Sequence, residues 1–194
     1  MSSLPTVLIC TYPVHGQANV NLATSYELAL SGVDVHIASF ALLKNRVDRL
    51  QELVDRHASR SSAKPTGSVV FCELKNITSY VEASRKNRLT AGTLLHPCGV
   101  LGALQSYRNI GPVSFPWGRE EYFAAIDSFK EIIGAIKPDV VAIDPLFLAP
   151  QDACKLMNQK FVILSPTGIK EATVNMQPYL AAFWKYPAFV VKSI

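Results

Sequence analysis

Cysteine is scarce in this sequence, and it never occurs as a close pair. The four cysteines, Cys10, Cys72, Cys98 and Cys154, lie at least 26 residues apart. Structural zinc sites need cysteine and histidine at short spacings such as CxxC, and small secreted domains need a dense disulfide framework. Since neither pattern is present, the sequence predicts buried free thiols in a reducing compartment and no metal site.

Three glycine motifs are absent as well. The sequence contains no GxGxxG, no GxxxxGK[ST] and no GxSxG. The first two cradle the phosphates of dinucleotides and mononucleotides, and the third carries the nucleophilic serine of α/β-hydrolases. Their absence argues against a resident nucleotide and against a serine hydrolase, so no cofactor is expected.

Long apolar runs are also missing. No run approaches the roughly 18 residues that a membrane span needs. The first five residues carry no basic side chain and begin no long apolar region, so they do not resemble a secretory signal. A cytoplasmic location is therefore expected.

Charge is modest but unevenly distributed. Of the 194 residues 49% are apolar and 18% are charged, and the net charge is +4, which excludes a disordered chain. Residues 44–88 hold ten of the nineteen basic residues and five of the fifteen acidic ones. This stretch leaves open peripheral contact with phosphate or an anionic membrane surface, whereas its interspersed acids favour an ordinary solvated helix and a polar loop. No aromatic residue lies within 44–64, which argues against nucleic-acid binding.

Short β-rich apolar segments alternate with helical patterns along the chain. Strands are predicted at 6–12, 33–40, 68–74, 139–144 and 161–164, and helices at 18–31, 41–57, 93–107, 119–136 and 149–157. Nearly continuous apolar strands are typical of a parallel sheet covered on both faces. The pattern predicts an α/β fold with a Rossmann-like, doubly wound parallel sheet, formed by a single domain over residues 1–194.

Ligands of such sheets bind beyond the carboxyl ends of the strands. The segments 13–17, 144–148 and 165–168 should meet there, and they bring together His15, Gln17, Asp144, Ser165 and Thr167. A carboxylate can orient an imidazole that removes a proton from a hydroxyl group, so His15 and Asp144 form a candidate general-base pair. The alternatives are a loop histidine without a role and an aspartate that caps a helix or binds backbone amides.

Two segments resemble one known family. VLICTYPVHGQANVNLATSYELALSGVDVHIASF resembles the opening of UDP-dependent glycosyltransferases of the UDP-glucosyl/glucuronosyl transferase type, especially their fungal-type branch. There a strand leads into a P-x-x-G-H loop, a helix and a second strand. KPDVVAIDPLFLAPQDACKLMNQKFVILSPTG is similar to a later strand–Asp–helix–strand unit of that family. The resemblance extends over residues 6–186 and is weakest at 75–108.

The resemblance implies the N-terminal half of a GT-B architecture, in which two Rossmann-like domains face each other across a cleft. The intact enzyme would transfer a hexosyl group from a UDP-sugar to a hydroxyl group of an apolar small molecule. No donor-binding signature is present, so we expect an acceptor-binding domain without the C-terminal donor domain, inactive alone and binding the UDP-sugar only together with a second domain. The alternative is a truncated, non-catalytic binding or interaction domain of the same fold.

The resemblance also assigns candidate roles to residues. When P-x-x-G-H is laid on residues 13–17, the catalytic histidine of the family falls on Gln17, whose amide cannot act as a base. Asp144 matches the aspartate that orients this histidine. His15 is then the candidate base with Asp144 as its partner, and Gln17, Ser165 and Thr167 are candidates for binding the acceptor.

Overall fold

The computed structural model describes residues 4–60, 66–75, 77–87, 99–114 and 116–166. The chain divides into two compact units, Met1–Leu164 and Ser165–Ile194. Only the first two residues of the second unit are among those described, so the architecture given below is that of the first unit. A single domain over 1–194 stays a prediction.

Five strands form one parallel sheet in the first unit. They are β1 Thr6–Cys10, β2 Asp34–Ser39, β3 Val69–Glu73, β4 Val140–Ile143 and β5 Phe161–Ile163. Their order is β3-β2-β1-β4-β5, and each neighbouring pair is parallel. The predicted α/β fold is confirmed, and each predicted strand is present but one or two residues shorter than expected.

Six α-helices occur in the described part of the chain. They are α1 His15–Leu30, α2 Lys44–Ala58, α3 Tyr80–Lys86, α4 Val100–Ser114, α5 Arg119–Ile136 and α6 Leu148–Leu156, and a 3-10 turn at Ala41–Leu43 precedes α2. Buried side chains of α1 and α2 pack with Ile9, Val35 and Ile37 on one face of the sheet. Those of α5 and α6 pack with Leu8, Val141 and Ile143 on the other face. Both faces of the central strands β1 and β4 are thus covered, which explains why these two strands are almost continuously apolar.

The strongest helical pattern of the sequence formed where it was predicted. In α5, Ile126, Phe129 and Ile133 are buried at spacings of three and four residues, which places them on one face of the helix. Lys137 ends the helix in the left-handed conformation, with φ of 51°. Pro138 follows and cannot continue the helix.

The start of α1 differs from the prediction. We expected a loop over 13–17 and a helix from residue 18, but the helix begins at His15. The first turn is fixed by Asn21, which is 1% exposed. Its Nδ2 donates to the backbone oxygen of Gln17 at 3.1 Å and to Oγ1 of Thr11 at 2.8 Å. His15 and Gln17 therefore lie in a helical turn and not in a loop.

Two further stretches are more helical than predicted. No strand or helix is predicted within residues 75–92, yet α3 forms there. Ser79 Oγ accepts from the backbone N–H of Glu82, and the Glu82 carboxylate accepts from the backbone N–H of Ser79. This reciprocal capping box is a local helix signal. The segment 109–118, which lies between two predicted helices, is helical as far as Ser114, with Pro112 inside the last turns of α4.

The basic stretch forms an ordinary amphipathic helix in α2. Val47, Leu50 and Val54 are buried, while Lys44 on the exposed face pairs with Asp48 at 2.7 Å. Such an exposed pair is worth at most about 1 kcal/mol. Contact of this face with an anionic membrane stays a prediction. In the ranges that the structure describes, no helix combines the length and hydrophobicity needed to cross a bilayer.

Candidate functional site

The strand order locates a crevice at the carboxyl edge of the sheet. From β1 the chain proceeds to β2 and β3 on one side, and it then crosses to β4 and β5 on the other. Such a reversal opens a crevice between the two strands that lead in opposite directions, here β1 and β4. Tyr12 follows β1 and Asp144 follows β4. The backbone N–H of Asp144 donates to the oxygen of Cys10 at 3.0 Å and ties the two strand ends together.

Asp144 is a fully buried carboxylate with one oxygen unused. Its exposure is 0%. Oδ1 accepts from the backbone N–H of Leu146 at 3.0 Å, whereas Oδ2 has no partner. Burial raises the pKa of Asp144, and the bond from Leu146 opposes that shift. Asp144 does not cap α6, whose N-cap is Phe147. Because an unpaired buried carboxylate is costly, its retention is typical of a functional site.

His15 and Gln17 lie in the first turn of α1, which starts beside the end of β1. His15 is exposed and Gln17 is half-buried. Buried hydrogen bonds anchor this turn to the sheet, since Ser39 Oγ donates to the backbone oxygen of Thr11, and Thr11 Oγ1 accepts from Asn21. Both residues of the pair His15–Asp144 are described, and no hydrogen bond joins them. The catalytic pairing stays a prediction.

The remaining candidates lie after β5. Ser165 follows Leu164 directly, and Thr167 lies outside the described residues. Their roles as acceptor-binding residues stay predictions. Of the predicted free thiols, those of Cys10, Cys72 and Cys154 are free, and Cys98 is outside the described residues. Burial raises the pKa of Cys154 to about 11. The described residues hold no group of three side chains that could bind a metal ion.

An aromatic pocket that was not predicted is lined in part by Phe147, whose backbone N–H donates to the backbone oxygen of Asp144 at 2.9 Å. Tyr12, Phe40 and Phe147 follow β1, β2 and β4, and Trp117 precedes α5. The ring centroid of Tyr12 lies 4.3 Å from that of Phe147 and 6.0 Å from that of Trp117. The free space in it is about 10 Å³, room for one water molecule, and its walls are almost wholly apolar. The lining residues, called the aromatic pocket below, are Tyr12, Phe40, Leu74, Ile77, Trp117, Tyr122, Ala125, Phe147, Leu148 and Ala149.

One residue of the aromatic pocket carries a buried polar atom without a partner. The hydroxyl of Tyr12 is buried without a hydrogen-bond partner. Burial raises its pKa, and the nearby charge of Asp144 raises it further, so the phenol stays protonated as a hydrogen-bond donor. The sequence does contain a signal for this pocket, because an aromatic residue follows the end of each of three strands by one to four positions. The sequence analysis gave Tyr12, Phe40 and Phe147 no role.

Comparison with known proteins identifies relatives among glycosyltransferases. No protein-family model matches the sequence. The chain is 32% identical over 195 residues to the glycosyltransferase sdnJ of Sordaria araneosa, an alignment that covers 95% of this chain and 36% of that protein. The chain thus spans about a third of the length of this relative. The predicted resemblance to glycosyltransferases is confirmed.

Solved structures of glycosyltransferases share the fold. SsfS6 of Streptomyces sp. SF2575 is 14% identical with a TM-score of 0.51, and the match covers 83% of this chain and 39% of that one. CalG4, the calicheamicin glycosyltransferase, is 15% identical with a TM-score of 0.51 over 98% of this chain and 42% of its own. SnogD from Streptomyces nogalater is 13% identical with a TM-score of 0.51, and the match covers 84% of this chain and 34% of that one. The predicted Rossmann-like half of a GT-B architecture is confirmed.

Proposed function

We propose that this chain is the acceptor-binding part of a glycosyltransferase that transfers a hexosyl group from a UDP-sugar to a hydroxyl group of an apolar small molecule. The single observation that carries the proposal is the aromatic pocket beside Asp144 at the point where the strand order reverses. Apolar and aromatic walls with few polar groups are typical of sites for small apolar ligands. The relative sdnJ, a glycosyltransferase, supports the reaction class.

The reaction is a displacement at the anomeric carbon of the sugar. The acceptor oxygen forms the new bond, the bond to the β-phosphate oxygen breaks, and UDP leaves. The hydroxyl proton must pass to a base, because a neutral hydroxyl is a weak nucleophile. We assign this role to His15 and assign to Asp144 the stabilisation of the imidazolium that results. His15 and Gln17 share the first turn of α1, but only an imidazole accepts a proton near pH 7.

The donor is expected to be held by a second domain. One fold relative, SsfS6, was crystallised with thymidine diphosphate, so thymidine diphosphate sugars should be tested beside UDP-sugars. We expect the 194-residue chain alone to bind UDP more weakly than about 1 mM, equivalent to about −4 kcal/mol. Titration calorimetry with UDP and thymidine diphosphate measures this. Binding of either nucleotide in the micromolar range would contradict the acceptor-domain assignment.

The base assignment predicts a difference between two neighbouring residues. In a polypeptide that joins this chain to a donor-binding domain, His15→Ala should lower kcat about a hundredfold, the lower limit for a positioned general base. Gln17→Ala should mainly raise the KM for the acceptor, because an amide can bind a hydroxyl group but cannot remove its proton. Steady-state kinetics with radiolabelled UDP-sugar separates the two. Full activity of His15→Ala would show that α1 supplies no base.

One observation favours the alternative of a non-catalytic binding domain. His15 is exposed, and Asp144 is buried without a bond to it. The test uses 7-hydroxycoumarin, a small apolar compound with one hydroxyl group. If the domain only binds, the polypeptide that joins this chain to a donor-binding domain will bind 7-hydroxycoumarin but form no glycoside from any nucleotide sugar. Mass spectrometry of the reaction mixture distinguishes the two functions.

A further inference from the structure

Three buried polar side chains lie together at the start of α1. Thr11 follows β1, Ser39 ends β2, and Asn21 lies in the second turn of α1. All three are at most 1% exposed. Polar groups are costly to bury unless they are hydrogen-bonded, so the partners of each group indicate its role in the fold.

Asn21 joins the helix to the end of β1 through a single amide group. Its Nδ2 donates to Thr11 Oγ1 at 2.8 Å and to the backbone oxygen of Gln17 at 3.1 Å. Thr11 is fixed in turn, because its backbone N–H donates to the backbone oxygen of Ala38 at 3.2 Å and its own backbone oxygen accepts from Ser39 Oγ at 2.7 Å. The first turn of α1 is thus linked, through Thr11, to both β1 and β2.

The first turn of α1 lacks the usual means of holding a helix end. Val14 at the N-cap makes no side-chain hydrogen bond to the turn, and the turn contains no acidic residue. Among the described residues outside α1, none has an atom within 4 Å of the position that a Cβ of Gly16 would occupy, and His15 is exposed. Helix ends without a capping side chain are less stable. The bonds of Asn21 therefore take the place of a cap and act from the buried side of the helix.

Stability alone does not account for an asparagine at this position. Its neighbours on the buried side of α1 include Ala18, Leu22 and Ala29, and leucine would be a better helix former there. The asparagine also leaves its Oδ1 buried without a partner, which is unfavourable. What the amide adds is direction, since a hydrogen bond fixes the rotation of the turn more narrowly than apolar contacts do. A fixed rotation matters where a turn carries groups that must meet a substrate.

We propose that Asn21, with Thr11 as its acceptor, is the positioning residue for the first turn of α1, and so for His15 and Gln17. The proposal rests on the proposed function for the roles of those two side chains as base and acceptor ligand. It adds two buried residues to the proposed site, and both act through the turn without contacting a substrate.

The positioning role is tested first on the chain itself, by hydrogen exchange of single backbone amides measured by NMR. The backbone N–H of Ala18 donates to the backbone oxygen of Val14 at 2.8 Å, so its exchange reports opening of the first turn. Asn21→Ala and Thr11→Val should each accelerate exchange of this amide about tenfold, close to the net effect of one hydrogen bond. Equal exchange in the parent and in both variants would overturn the proposal.

Two matched variants separate this effect from general destabilisation. Thr11→Ser keeps the hydroxyl that accepts from Asn21, so exchange of the Ala18 amide should stay close to that of the parent. Ser25→Ala removes another fully buried hydroxyl of α1, which donates at 2.8 Å to the backbone oxygen of Asn21 within the same helix, and it should leave the first turn unchanged. Acceleration of Ala18 exchange by Ser25→Ala as large as that by Asn21→Ala would overturn the proposal.

The functional consequence is measured in the polypeptide that joins this chain to a donor-binding domain. Asn21→Ala and Thr11→Val should lower kcat between about ten- and a hundredfold, because a misplacement of about 1 Å can cost that much, and they should also raise the KM for 7-hydroxycoumarin. Partial unfolding lowers kcat without changing KM, so a loss of kcat alone that is equal in Thr11→Val and Thr11→Ser would overturn the proposal. Faster exchange of the Ala18 amide together with parental kcat and KM would leave the role of Asn21 in the turn standing and contradict the proposed function alone.

Discussion

Asp144→Asn should lower kcat between about 10²- and 10⁴-fold in a polypeptide that joins this chain to a donor-binding domain. The carboxylate lies at the carboxyl end of β4 with Oδ2 unpaired, and an amide of the same shape cannot stabilise an imidazolium. Oδ1 of asparagine can still accept from Leu146, so the fold should persist. Circular dichroism checks that the fold persists, and steady-state kinetics measures the loss of kcat.

The same substitution should raise stability at neutral pH. Because burial raises the pKa of Asp144 in the folded state, the folded protein binds more protons than the unfolded one between the two pKa values. Stability therefore falls as the pH rises through that window. Asparagine does not titrate. At a pH above both pKa values of Asp144, the free energy of unfolding of the variant should therefore exceed that of the parent. At a pH below both values, the two free energies should become similar.

Asp139→Asn provides the control for the kinetic measurement. Asp139 precedes the opposite end of β4, where its Oδ2 accepts from the backbone N–H of Thr6 at 2.8 Å. Its substitution should leave kcat nearly unchanged. If Asp144→Asn also retains the parental kcat, Asp144 acts only on the structure of the strand end, and the proposed chemistry is wrong.

The sequence predicted those parts of the fold that depend on local patterns. Strands such as β4 are continuous apolar runs, and α5 has a clear helical period, so both could be located in advance. The start of α1 could not, because it depends on Asn21 reaching Thr11 in another element. The capping box of α3 was present in the sequence as Ser79 and Glu82, but a weak apolar pattern concealed it.

The candidate site divides in the same way. Asp144 could be placed because it follows a predictable strand, and strand ends in a parallel sheet share one edge. The aromatic pocket could not, since Trp117 is held in it by a bond from its indole N–H to the backbone oxygen of Thr78, 39 residues away in the sequence. Long-range side-chain contacts of this kind leave no periodic signal, and the exposure of His15 was equally beyond local patterns.

Phe129→Ala should lower the free energy of unfolding by about 3–5 kcal/mol, the usual cost of removing a buried phenylalanine. Phe129 is 0% exposed in the core between α5 and the sheet, and its ring meets that of Phe147 edge to face at 5.1 Å. Phe123→Ala is the matched control on the same helix, because Phe123 is 52% exposed and its loss leaves no cavity. Urea denaturation followed by circular dichroism measures the free energy of unfolding of both variants.

Phe147 is also a wall of the aromatic pocket. Phe129→Ala should therefore weaken binding of 7-hydroxycoumarin as well, whereas Phe123→Ala should not. Equal unfolding midpoints for the two variants would mean that Phe129 does not support the core on which the pocket is built.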